Sequence, residues 1–248
     1  MFDCSEVASA VESPSADPRL DGRFVRCVPG TDGRGAVLLV GVVHDHPASV
    51  VRVAHLLDAF APAVLALELP PLSVPLFRLY GDDRYVPPRL GGEMSAASQA
   101  AGDVPTVGID APSRTYLRLL AAELLANPAP RGVVRALARD LVSGVGHALA
   151  CRLGALVGAV TPVRLRLYSH IEYDCSLLDD PTVQADHEAA HVGQRQAFLR
   201  AIETPPAIAR IDAVREAAMA TRIRELRAAG DVVAVVGIEH LDALETAL

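Results

Sequence analysis

Two runs of the chain, AVLLVGVV at 36–43 and DVVAVVG at 231–237, are apolar almost throughout and rich in Val. Strand side chains alternate between the two faces of a sheet, so an unbroken apolar strand is one covered on both faces. The two runs therefore predict central strands packed between layers of helices. Before the first run, RFVRCV and the turn-rich PGTDGRG read as a second strand and a short connection. After it, SVVRVAHLLDAFAP has helical period, with Ser49 as the expected N-cap and Pro62 as the stop. AVLALELPP follows as another strand, so strand, helix and strand make a βαβ unit with a parallel pair.

The expected fold class is thus α/β, a central mostly parallel sheet flanked by helices, with a helical middle segment. Residues 72–102, rich in Pro, Gly, Ser and acidic groups, read as a loop with a short helical piece. DVPTVGID gives a short strand ending at Asp110, and 113–160 is mainly helical with a break at 127–132. VRLRLYSHIEYDC, at 163–175, is ambiguous between strand and helix. Helical pattern returns from Pro181, breaks at Pro205 and Pro206, and ends at Gly230.

The 248 residues suit one domain, here 23–248, with 1–22 expected as a flexible tail because MFDCSEVASAVESPSADP is acidic and Ser-rich. That start has no apolar core of a secretory signal. With 51% apolar and 21% charged residues the composition is globular. The net charge of −7, and Arg as the sole strong base, leave no basic stripe for nucleic acid. Cys4, Cys27, Cys151 and Cys175 lack C-x-x-C spacing and are expected as reduced thiols in a cytoplasm. LVSGVGHALACRLGALVGAV, at 141–160, is long enough to span a bilayer, but His147 and Arg152 sit mid-segment. A buried helix or helical hairpin is the expectation, with membrane contact as the alternative.

The two central runs end alike, in Gly41-Val42-Val43-His44 and Gly237-Ile238-Glu239-His240. Ligands of open α/β sheets bind beyond the strands' carboxyl ends, where loops and helix N-termini converge. Gly would let the backbone turn sharply there, and His would project into the crevice. Glu68 and Asp110 close two further strands, so four strand ends could gather His44, His240, Glu68 and Asp110. Imidazoles and carboxylates suit a divalent manganese, cobalt or zinc ion, which would lower the pKa of a bound water. For each His the competing reading is a core or cap residue satisfied by backbone, and for each carboxylate a helix cap. His46 reads as a surface loop residue near the same pocket.

HEAAH, His187 to His191, carries the letters of a zincin helix, in which two His one turn apart bind zinc and Glu188 polarises water. No H-x-x-G-x-x-H extension follows, Gly193 sits where such a helix should stay apolar and firm, and the surroundings are polar. The segment is expected to belong to the scaffold, perhaps beside the site, with a zincin as the less favoured reading.

Gly41 to His44 with Ser49 after it, Glu68, Arg215 with Met219 four residues on, and Gly237 to His240 together resemble the TraB/PrgY family, related to the TIKI metalloproteases. The similarity spans nearly the whole chain. It implies an α/β fold and, for the TIKI branch, a metal-dependent peptidase whose site contains the two G-x-x-H histidines and the Glu. Arg215 would then orient substrate or stabilise an oxyanion. The family's Asp-Arg pair appears here as Asp110-Ala111, which loses a basic group. Relatives often continue into membrane-spanning segments after the last motif, so a shorter member is expected to differ in partner or substrate. The resulting expectation is a hydrolase with His44, His240 and Glu68 as metal ligands, Glu68 and Arg215 as catalytic groups, and a peptide or small-molecule substrate. The alternative is a PrgY-type protein that binds a peptide signal without cleaving it.

Overall fold

The computed structural model describes residues 2–12, 17–31, 33–168, 170–201 and 205–248. Residues 13–16 of the expected tail, Asp32 of the expected turn and Ser169 of the ambiguous segment lie outside them. Five strands form one sheet: β1 (Val25–Val28), β2 (Val37–Val42), β3 (Val64–Leu67), β4 (Thr106–Gly108) and β5 (Val232–Gly237). Their order is β1-β2-β5-β3-β4, with β1 antiparallel and the other pairings parallel. The fold is α/β, as the apolar runs predict.

Helices cover both faces: α1 (Cys4–Glu12), α2 (Pro47–Ala59), α3 (Val74–Gly81), α4 (Gly92–Ala101), α5 (Arg114–Ala126), α6 (Arg131–Val160), α7 (Pro181–Ala201), α8 (Pro206–Leu226) and α9 (Leu241–Ala247). The alternation of strand side chains divides the core in two. Leu38, Val40, Leu65, Leu67, Val233 and Val235 pack with α2, α3, α4 and α6. Val37, Leu39, Val64, Ala66, Val232, Ala234 and Val236 pack with α8 and α9 on the other face. Each central strand is therefore apolar at every position because neither face meets water.

Several local expectations are corrected. β2 and β3 are parallel but not neighbours, because β5 lies between them and Val232 pairs with both Val37 and Val64. α2 begins two residues before Ser49 and is capped by His46, whose ring accepts from the Ala48 N–H. Residues 72–102 hold α3 and α4, which bury Leu76, Phe77, Met94 and Ala97 against the sheet. Their Pro and Gly residues sit at helix ends, where they punctuate rather than prevent helix.

The expected tail is also structured where it is described: α1 buries Val7 and is joined to β1 by a Cys4–Cys27 disulfide. The four thiols are thus not all reduced, and Cys151 and Cys175 are the free ones. The 163–175 segment, where described, is neither strand nor helix. α6 is one continuous helix, neither a hairpin nor buried: 28% of its most apolar window is covered, by contacts of Ala148, Cys151, Gly154, Ala155 and Gly158. Among the described residues it is the one helix long and apolar enough to cross a membrane.

Candidate functional site

Parallel β2, β3, β4 and β5 carry their carboxyl ends to one rim of the sheet, and α8 crosses beside it. Glu68 follows β3 and is nearly buried; its Oε2 accepts from the Gly237 N–H at 2.5 Å and its Oε1 from Arg215 Nη2 at 2.7 Å. Arg215, on α8, also makes a two-pronged pair with Asp110, at 2.6 and 2.7 Å. His240 completes the cluster, with Nε2 at 3.4 Å from Glu68 Oε1 and at 3.3 Å from Arg215 Nη1. Its Nδ1 faces Glu216 Oε1 at 3.0 Å. Four residues singled out in the sequence, Glu68, Asp110, Arg215 and His240, are therefore in direct contact.

His44 leaves the end of β2, next to β5, and its Nδ1 lies 2.7 Å from Glu93 Oε1. Glu93 is fully buried on α4 and accepts the Asp45 N–H through its other oxygen at 2.9 Å. His44 is within electrostatic reach of Glu68 and Glu239. The two G-x-x-H histidines thus share a pattern, each with Nδ1 held by a glutamate that sequence reading did not select. Glu216 is the neighbour of Arg215 and could have been noticed there; Glu93 lies in the stretch read as loop, where no periodicity marks it.

These contacts set the charges. The bond to Glu93 raises the His44 pKa to about 9 against the opposing effect of burial. Burial works against the charged form of His240, yet the bonds to Glu68 and Glu216 outweigh it and bring its pKa to about 9. Burial likewise penalises the Glu68 carboxylate, but His240, Arg215 and the Gly237 N–H hold its pKa at about 2. Burial opposes the Arg215 charge, and its carboxylate partners more than compensate, so it stays fully protonated.

The glycines of the two motifs serve space rather than a sharp turn. Neither has positive φ among the described backbone angles. A Cβ at Gly41 would meet Leu241 Cδ1 at 2.5 Å, and one at Gly237 would stand 3.4 Å from Glu68 Oε2 and 2.9 Å from Glu239 Oε2. Gly237 lets Glu68 reach the backbone; Gly41 lets α9 settle on β2.

HEAAH lies elsewhere. Glu188 is fully buried in a salt bridge with Arg52 and accepts from Ser49 Oγ at 2.5 Å. Arg52 also bonds the Gly41 carbonyl at 3.0 Å and stacks on Phe24 at 3.9 Å. The residue a zincin would use to polarise water is thus consumed in docking α7 onto α2, the scaffold role expected for this helix. His191 packs edge-on against Tyr173, at 5.4 Å between ring centres. His187 also stands edge-on to Tyr173, at 6.1 Å, and its Nδ1 is 2.9 Å from Nε2 of His46. His46, expected at the surface, is fully buried under α7. Among the described residues one trio of His, Cys, Asp or Glu side chains brings its ligand atoms within 4.8 Å of one another, and it is His46, Cys175 and His187. His44, Glu68 and His240 are not such a trio.

No protein-family profile, curated protein or solved structure matches this chain.

Proposed function

We propose that the strand-end cluster is the site of a TraB-like, metal-dependent hydrolase acting on peptide or amide bonds. The observation that carries the reading is the shared anchoring of its histidines: His44 Nδ1 on Glu93 and His240 Nδ1 on Glu216. A carboxylate on one imidazole nitrogen fixes the ring and raises the basicity of the other, the arrangement found behind metal-bound histidines. Donors of these types suit a divalent manganese, cobalt or zinc ion, which His240, Glu68 and His44 would hold once their ligand atoms, now not gathered within 4.8 Å, come together. When bound, such an ion supplies a Lewis acid that brings the pKa of water toward neutrality.

The remaining steps belong to the chain's own groups. His240 and Glu68 already stand side by side, and His44 must close the remaining distance. Arg215, about one third exposed, presents its guanidinium at the rim and would steady negative charge developing on a substrate carbonyl oxygen. Asp110 keeps that guanidinium oriented. A cytoplasmic setting belongs to this reading, although the Cys4–Cys27 bond speaks for an oxidising one.

Metal content and peptide hydrolysis, compared among the parent protein, His44→Ala and His240→Ala, test the proposal. Each variant is expected to lose one ion per chain and the activity; unchanged metal content in both overturns it. One observation favours a second reading, a PrgY-type protein that binds a peptide signal. Arg215 neutralises both Glu68 and Asp110, which leaves neither carboxylate free as a base. Peptide binding without cleavage, whichever of the three ions is added, would select that reading.

A further inference from the structure

We infer that His46, Cys175 and His187 form a separate divalent-metal centre, a zinc-type site of two imidazoles and one thiolate whose remaining position opens on a cavity. Their ligand atoms lie within 4.8 Å of one another, and His46 Nε2 is 2.9 Å from His187 Nδ1. Two nitrogens bound to one tetrahedral zinc at about 2.0–2.1 Å stand roughly 3.3 Å apart, so the rings need only separate slightly. The three residues come from three places: the cap of α2, the irregular segment before α7, and α7 itself. Such a site joins elements that the sheet does not join.

The protons can be accounted for. His46 Nδ1 accepts from the Ala48 N–H at 3.2 Å, so Nε2 carries the proton shared with His187. On binding, the ion takes the place of the Nε2 proton, which moves to Nδ1 and displaces the hydrogen bond from the Ala48 N–H. Cys175 releases its thiol proton to solvent and binds as thiolate, so one proton leaves per ion bound.

Three protein ligands and an open position distinguish reactive zinc sites from closed structural ones. Here Cys175 lines a cavity of about 500 Å³, together with Asp45, Pro47, His170, Tyr173 and Leu177. Asp45 is buried; its Oδ2 accepts the Ile171 N–H at 2.9 Å and its Oδ1 lies 3.4 Å from His170 Nδ1. A water or a polar substrate bound at the ion would lie in this cavity.

The test is a cobalt titration of the purified chain without added thiols. One equivalent is expected to give a thiolate-to-cobalt charge-transfer band in the near ultraviolet, with the strong visible bands of a four-coordinate ion. Cys175→Ser should abolish the charge-transfer band, and His187→Ala should weaken binding at least tenfold. Cys151→Ser and His240→Ala should leave the band in place, which separates this centre from the strand-end site. Should Cys175→Ser fail to fold, the half-exposed His187→Ala decides alone. No charge-transfer band in the parent protein, or one that survives Cys175→Ser or is unaffected by His187→Ala, overturns the inference.

Discussion

Arg215 holds two carboxylates at once, and three side chains from different strands depend on it. Arg215→Ala would leave nearly buried Glu68 and Asp110 facing each other without their shared cation. Removing one partner of a fully buried pair costs about 3–5 kcal/mol, and the partial exposure of Arg215 reduces this to roughly 2–3 kcal/mol. Urea unfolding of the variant measures it; a loss below about 0.5 kcal/mol would contradict the described network. The histidines offer a second measurement. Ring resonances of His44 and His240 should titrate near pH 9, well above an ordinary imidazole. Because both folded-state values are raised, their contribution to stability is complete below about pH 6.5 and is lost as the pH rises through 9. Midpoints near 6.5 would show the glutamate contacts to be absent in solution. Of these residues, Glu68, Asp110, Arg215, His44 and His240 were legible because each sits at a strand end or in a motif. Glu93 and Cys175 were not, since what makes them matter is contact with His44 and His46, far back in the sequence, and local pattern carries no record of that.

Elements were legible where burial imposes a period. β2, β5, α2 and α8 follow from apolar spacing; α3 and α4 do not, because Pro and Gly at their ends mimic loop composition. The helix cap shows how a local rule can be outbid: Ser49 has the right chemistry, but its hydroxyl is taken by the Val43 N–H and Glu188. The contact of α9 with β2 yields a test. Gly41→Ala drives a methyl toward Leu241 Cδ1 and to 3.2 Å from the Phe24 carbonyl, an overpacking expected to cost about 1–3 kcal/mol. Thermal melts of this variant should fall; an unchanged melt would mean that α9 packs less closely than described. α1 gives another. Cys4 and Cys27 are 23 residues apart, and a bridge closing a loop of that size contributes about 3 kcal/mol by restricting the unfolded chain. Cys4→Ser should lower stability by about that amount and expose the amides of α1 to hydrogen exchange before those of β2. Equal protection of α1 in the variant would show that Val7 and its neighbours hold the helix unaided.

For the whole molecule, α/β architecture is dictated by two doubly apolar runs, but their placement is not. Nothing in a run of Val and Ala says which neighbour it will have, so the insertion of β5 between β2 and β3 had no local signal. α6 escaped sequence reading for a related reason: Leu149, Leu153, Leu156 and Val160 have the hydropathy of a core, yet they are exposed. A chain ended at residue 230 should keep helical circular dichroism while losing its cooperative unfolding transition, because both halves of the sheet lose their common partner. A sharp transition in that fragment would mean that β2 and β3 find each other directly. During synthesis the same pairing sets a schedule. Val37 and Val64 must wait for residue 232 to leave the ribosome, so both strands keep an unpaired edge until then. Completion of the sheet then closes a long stretch of chain at once, and before it the nascent protein is most open to chaperones and to mispairing with its own copies.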